Sequence, residues 1–172
     1  MRRSWKHIVI YSMPLMIMAF IFIQSSLPAD LSSDESGFFV DRICRFVHAD
    51  KEAVTFFVRK AAHFFEYFVL GISLYLSVFT GMTEKTQMRG KKKRRQQREK
   101  RRRAGRDIRY PVISVQAAVI GVLFSMSDEI HQRFVPGRSC EVRDIVIDSI
   151  GILCGILVTV LFLKRKKSKA SE

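Results

Sequence analysis

Apolar residues gather into four runs, about 7–25, 54–80, 110–127 and 145–163, with polar stretches between them. Each run is close to the roughly 20 residues that a helix needs to cross hydrocarbon. None of them alternates with a period of two. Lipid admits only helices and closed barrels, because the backbone must satisfy its own hydrogen bonds there. The pattern therefore predicts an all-α, polytopic membrane four-helix bundle. A shorter amphipathic segment lies at 38–47, where Phe39, Ile43, Phe46 and Val47 share one helical face and Asp41, Arg42 and Arg45 lie elsewhere. It reads as a short helix in the interface plane, or as one packed over the bundle.

The second run breaks its own rule. Arg59, Lys60, His63, Glu66 and Tyr67 fall in its first half. Steps of three and four place Lys60, His63, Glu66 and Tyr67 on one face of a helix. Ionisable groups at this depth are costly and rare unless they are partnered and used. Such a stripe must face other helices or a wet cavity. The first run has no charged residue between Ile8 and Ile23 and reads as scaffolding, with Pro14 near its middle. The third run starts with Pro111 in its first turn and ends on Asp128, Glu129, His131 and Gln132. Pro136-Gly137 then makes a turn. The fourth carries Asp144 and Asp148 in its first turns, then Gly151 and Gly155 in a small-xxx-small spacing that permits close helix contact.

Charge sets the orientation. The net charge of +14 is concentrated in residues 84–109, which hold 14 Lys/Arg against 3 Asp/Glu; the remainder is only about +3. The other basic segments are Arg2, Arg3 and Lys6 before the first run and Lys164–Lys167 with Lys169 after the fourth. All three fall on the same side of a four-span topology. The positive-inside rule makes that side cytoplasmic, with both termini inside. The connection at 26–53, with 6 Asp/Glu against 3 Lys/Arg, then lies outside. A cleavable signal peptide is the alternative for the first run, but the small-residue cleavage pattern at Leu27-Pro28-Ala29 is poor. The basic 84–109 segment has nothing apolar to bury and is expected to be disordered. Tethered between two spanning helices, it reads as a topological determinant touching anionic lipid head groups rather than as a nucleic-acid arm. Of the three cysteines, Cys44 and Cys140 fall outside, where a disulfide is permitted. They read as free thiols, with a bridge between them as the minority possibility.

These orientations bring three polar segments to one level. Lys60, Arg138 and Arg143 face Glu66, Asp128, Glu129, Asp144 and Asp148. In a head-group site, Lys60 and Arg138 would hold an anion. His63 with Glu66, and Asp128 with Glu129, would serve as acid and base. Tyr67, Gln132, Asp144 and Asp148 would orient these groups. A metal site drawn from His63, Glu66, Asp128, Glu129 and His131 lacks an established ligand spacing. A proton or ion path lacks polar residues in the inner halves of the helices. The bland alternative is an ion-pair network that only fixes helix register. The reading requires no cofactor and leaves open whether the protein is an enzyme.

Three motifs occur in order: Lys60-x-x-His63-x-x-Glu66-Tyr67; Ser127-Asp128-Glu129-Ile130-His131-Gln132-x-Phe134-x-Pro136-Gly137-Arg138; and Asp144-x-x-x-Asp148-x-x-Gly151-x-x-x-Gly155. Over about 55–163 the chain resembles the VanZ-like family of bacterial membrane proteins. The position of Asp148 is often Asn in that family. The basic stretch at 91–103 is not part of its pattern and reads as an insertion. The resemblance implies a single-domain, multi-pass protein of the bacterial plasma membrane, linked to low-level resistance to the glycopeptide teicoplanin. It supplies no reaction. The implied partners are membrane lipids or a lipid-linked envelope precursor.

Overall fold

The computed structural model describes residues 2–28, 40–42, 44–45, 50–90, 109–138 and 140–169. Four helices make up almost all of this: α1 (Arg2–Ser25), α2 (Lys51–Gly90), α3 (Arg109–Gln132) and α4 (Val142–Lys169). Among the described residues there is no strand. The apolar stretches within them, His7–Ser25, Lys51–Thr83, Tyr110–Gln132 and Val142–Lys169, are each long enough to cross a membrane. The protein is an all-α membrane bundle, as the hydrophobic pattern requires.

The helices run longer than their apolar runs. Helix α2 has 40 residues, about 60 Å at 1.5 Å per residue. It continues through Gly90, into the segment expected to be disordered, and Arg109 already belongs to α3. Helical hydrogen bonding carries the backbone past the last apolar residue, so the basic connection reduces to 91–108, which lies outside the described residues. So do Phe39, Ile43, Phe46 and Val47, the apolar face of the expected interfacial helix. Their neighbours Val40–Arg42 and Cys44-Arg45 are helical, with Val40 buried. Lys51 at the start of α2 reaches Asp41 of this segment at 2.9 Å. Helix α1 passes through Pro14 without a break. Cys44, Cys140 and Cys154 are free thiols.

Helix α2 is the hub. It packs against α1, α3 and, most extensively, α4. The core holds Tyr67, Leu70, Leu74 and Tyr75 of α2, Ile113 and Ala117 of α3, Ile152 and Ile156 of α4, and Ile21 of α1. Large apolar side chains on the outward faces, such as Met16, Phe57, Leu123 and Phe162, are exposed. On a spanning bundle, lipid covers these faces. The α2–α4 contact explains the glycine spacing: a Cβ on Gly151 would lie 2.6 Å from the Phe64 carbonyl oxygen. Backbone at that distance cannot give way, so only glycine permits the approach. Because neighbouring helices alternate in direction, the end of α1, the start of α2, the end of α3 and the start of α4 meet at one end of the bundle. That end carries the polar residues.

Candidate functional site

Two adjacent polar compartments occupy this end. The first is closed and centres on Asp128, which is 1% exposed. Its Oδ2 accepts hydrogen bonds from Ser25 Oγ of α1 at 2.8 Å, Gln132 Nε2 of α3 at 3.1 Å and Tyr67 Oη of α2 at 3.2 Å. One carboxylate oxygen thereby joins three helices. Gln132 turns its other end, Oε1, to Arg138 Nη1 at 3.3 Å. Arg138 also donates from Nε to the Leu27 carbonyl at 2.9 Å and from Nη2 to the Gln24 carbonyl at 3.1 Å. Gln24 lies in the last turn of α1, where its carbonyl also accepts the Leu27 N–H at 3.3 Å, and Leu27 lies just past the helix end. Gly137, with φ 74°, supplies the left-handed turn that brings Arg138 back onto the bundle.

The second compartment is an open cavity of about 150 Å³ between α2, α4 and the α3–α4 connection. Helix α2 contributes Phe56, Arg59, Lys60 and His63 to its wall. Glu129 and Gln132 come from α3, and Gly137, Arg138 and Glu141 from the connection. Helix α4 adds Asp144, Ile147 and Asp148. Lys60 forms an ion pair with Asp144 across the cavity, and its Nζ also lies 5.3 Å from the Phe56 ring centre. Arg143 approaches the same ring at 5.2 Å and pairs with Glu141 at 2.8 Å. Glu129 Oε1 accepts the Glu141 backbone N–H at 2.7 Å, which ties the connection to α3. Asp148 Oδ2 accepts from Ser125 Oγ at 3.2 Å.

Some groups remain uncommitted. Asp144 Oδ1 and Asp148 Oδ1 are buried and have no hydrogen-bond partner. Arg59 and Arg138 form no ion pair among the described residues; Arg138 spends its donors on neutral oxygens. Burial, and after it repulsion from Arg59, draws the Arg138 guanidinium below its ordinary pKa. Among the described residues, no group of three or more His, Cys, Asp or Glu side chains is arranged to hold a metal ion.

All ten candidates from the sequence reach this end of the bundle, in different roles. Lys60, His63, Glu129, Gln132, Arg138, Asp144 and Asp148 line the cavity. Asp128 and Tyr67 belong to the closed compartment, and Gln132 belongs to both. Adjacent positions on a helix diverge by about 100°, so Asp128 and Glu129 serve different compartments. Glu66 is half-buried and outside the cavity wall. It makes no hydrogen bond to His63, whose ring stacks toward Tyr67 with centres 6.5 Å apart. Lys60 is not a free cation, because Asp144 engages it.

A match to the VanZ/LLP1 family spans residues 8–163. The chain belongs to that family. Comparison with curated proteins and with solved structures gave no match. The match takes in all four helices of this VanZ/LLP1 protein, including α1, which the three sequence motifs do not touch.

Helix α1 is where sequence reasoning fell short. Read as scaffolding, it instead closes the site with its last turn. Besides Ser25 and the two carbonyls, Ser26 Oγ lies 3.0 Å from His131 Nε2, and Phe22 stacks on the same imidazole at 4.2 Å. The available signal was Gln24-Ser25-Ser26, polar residues at the same level as Asp128 but without a charge to mark them. Arg59 was visible in the polar stripe, yet its lack of a partner was not. Ser125, which donates to Asp148, is not among the residues that the sequence singles out.

Proposed function

We propose that the cavity binds the head group of a cell-envelope component at the outer leaflet of a bacterial plasma membrane, and that occupancy or modification of that component lowers glycopeptide access to its target. In this reading both termini and the basic 91–108 connection are cytoplasmic, where the connection meets anionic lipid. The cavity then faces outward. The observation that carries the proposal is the pair of guanidiniums, Arg59 and Arg138, on the cavity wall without a carboxylate partner among the described residues. A network built only to hold helices together would pair its charges, since even a half-buried charge without a partner gives up solvation and gains no Coulomb attraction in return. His63 lines the same cavity, its ring centre 6.5 Å from that of Tyr67 in the closed compartment, and in this reading exchanges a proton with a bound group.

The register-fixing alternative draws on a specific observation too: Asp128 joins α1, α2 and α3. The two readings separate experimentally. A deletion strain complemented with His63→Ala, Arg59→Gln or Arg138→Gln, each at wild-type membrane level, is expected to lose its teicoplanin tolerance. Wild-type tolerance in all three would remove the site. Failure of all three to fold in detergent would favour the purely structural role.

A further inference from the structure

The cavity presents both signs of charge with unmet valence. Among the described residues, Arg59 and Arg138 lack ion pairs on one side of the balance. On the other, the Oδ1 atoms of Asp144 and Asp148 are buried without a partner, and Asp148 is only 2% exposed. A simple anion would suit the guanidiniums and be repelled by the carboxylates. A simple cation would meet the reverse. A group carrying both charges satisfies both sets.

Hydrogen bonding narrows the cation. The unpartnered carboxylate oxygens need N–H donors, of which a primary ammonium offers three. A trimethylammonium offers none and is held instead by an aromatic cage; besides His63, Phe56 is the one aromatic ring on this wall. Guanidinium takes phosphate or carboxylate oxygens equally. The cavity of about 150 Å³ is well below the roughly 300–1,000 Å³ of sites for drug-sized ligands. That limits the group to a few heavy atoms. Asp148 lies a helical turn beyond Asp144 and is almost fully buried, while the two guanidiniums are half-exposed. The ammonium therefore enters first.

We infer that the ligand group is a small zwitterion, a primary ammonium a few bonds from a phosphate or carboxylate, with the ammonium held by Asp144 and Asp148 and the anion by Arg59 and Arg138. This rests on the head-group reading above and names its chemistry. Two sources share that chemistry: an ethanolamine phospholipid and a soluble or esterified amino acid.

The test uses the full chain in phosphatidylcholine nanodiscs doped with phosphatidylethanolamine or phosphatidylglycerol, with retained lipid counted by native mass spectrometry. Parallel samples in detergent receive glycerophosphoethanolamine, alanine or inorganic phosphate, with thermal unfolding as readout. The expected result is retention of the ethanolamine lipid about tenfold over the other two, the scale of one charge-assisted hydrogen bond. A shift with alanine but no retained ethanolamine lipid would uphold the zwitterion and identify the soluble source. Asp148→Asn should bring ethanolamine and glycerol lipids to parity. Arg59→Gln, which removes a side chain with no hydrogen bond or ion pair among the described residues, should weaken retention of both and guards against misfolding of the first variant. Equal retention of phosphatidylglycerol and phosphatidylethanolamine, unmoved by Asp148→Asn, would overturn the zwitterion and leave an anion site standing. No retained lipid and no shift with any probe would overturn both readings.

Discussion

Asp128→Ala is the perturbation whose cost follows most directly from the geometry. Asp128 Oδ2 receives donors from Ser25, Tyr67 and Gln132 at 2.8, 3.2 and 3.1 Å. Truncation leaves all three without their acceptor. Interhelical hydrogen bonds in a membrane protein average about 0.6 kcal/mol, because the unfolded chain in lipid finds other partners. Two of the three bonds, from Ser25 and Tyr67, cross between helices and give about 1 kcal/mol; the Gln132 bond within α3 adds roughly 0.5–1 kcal/mol. The soluble-protein penalty of about 1–3 kcal/mol per orphaned buried group would give several times more, but its reference state is water, which does not apply inside the bundle. Asp128→Asn keeps an acceptor in the same place, so it should stay within about 1 kcal/mol of wild type. The assay is reversible unfolding in mixed detergent micelles, followed by far-ultraviolet circular dichroism, on the single variants and on double-mutant cycles. Ser25→Ala and Tyr67→Phe should each cost roughly 0.5–1 kcal/mol in the wild-type background and close to nothing once Asp128 is alanine. If they cost the same in both backgrounds, Asp128 is not the common acceptor and the description of the closed compartment is wrong.

Three further outcomes follow from other contacts. Gly151→Ala should destabilise the bundle by about 1–3 kcal/mol, the usual range for overpacking, because the new Cβ meets backbone at Phe64; an unchanged melting temperature in detergent would show that α2 and α4 are not so close. Lys60→Met should cost more stability than the double variant Lys60→Met/Asp144→Asn, since the single change strands a carboxylate. With side chains 23% and 16% exposed, the difference should stay below the roughly 3–5 kcal/mol of fully buried pairs, and equal stability of the two variants would contradict the pairing. Cys140 is exposed and Cys154 half-buried within α4. A membrane-impermeant maleimide added to intact cells should therefore label a Cys44→Ala/Cys154→Ala variant, and labelling only after lysis would invert the proposed orientation.

The sequence by itself determined the four helices, the turn at Pro136-Gly137, the glycine face of α4 and the level at which the polar residues gather. Those features depend on local quantities: length of apolar run, helical periodicity and backbone conformation. They need no knowledge of a neighbour. Tertiary structure decided what the polar residues do. Packing fixes the rotation of each helix about its axis, and about 100° per residue is enough to send Asp128 into a closed network and Glu129 to the cavity wall. It also chose Asp144 as the partner of Lys60, left Arg59 and Arg138 without an ion pair among the described residues, and turned the uncharged end of α1 into a wall of the site. Pairing between segments a hundred residues apart depends on how closely the helices approach, and here Gly71 of α2 with Gly151 and Gly155 of α4, each pressed on the facing backbone, set that distance.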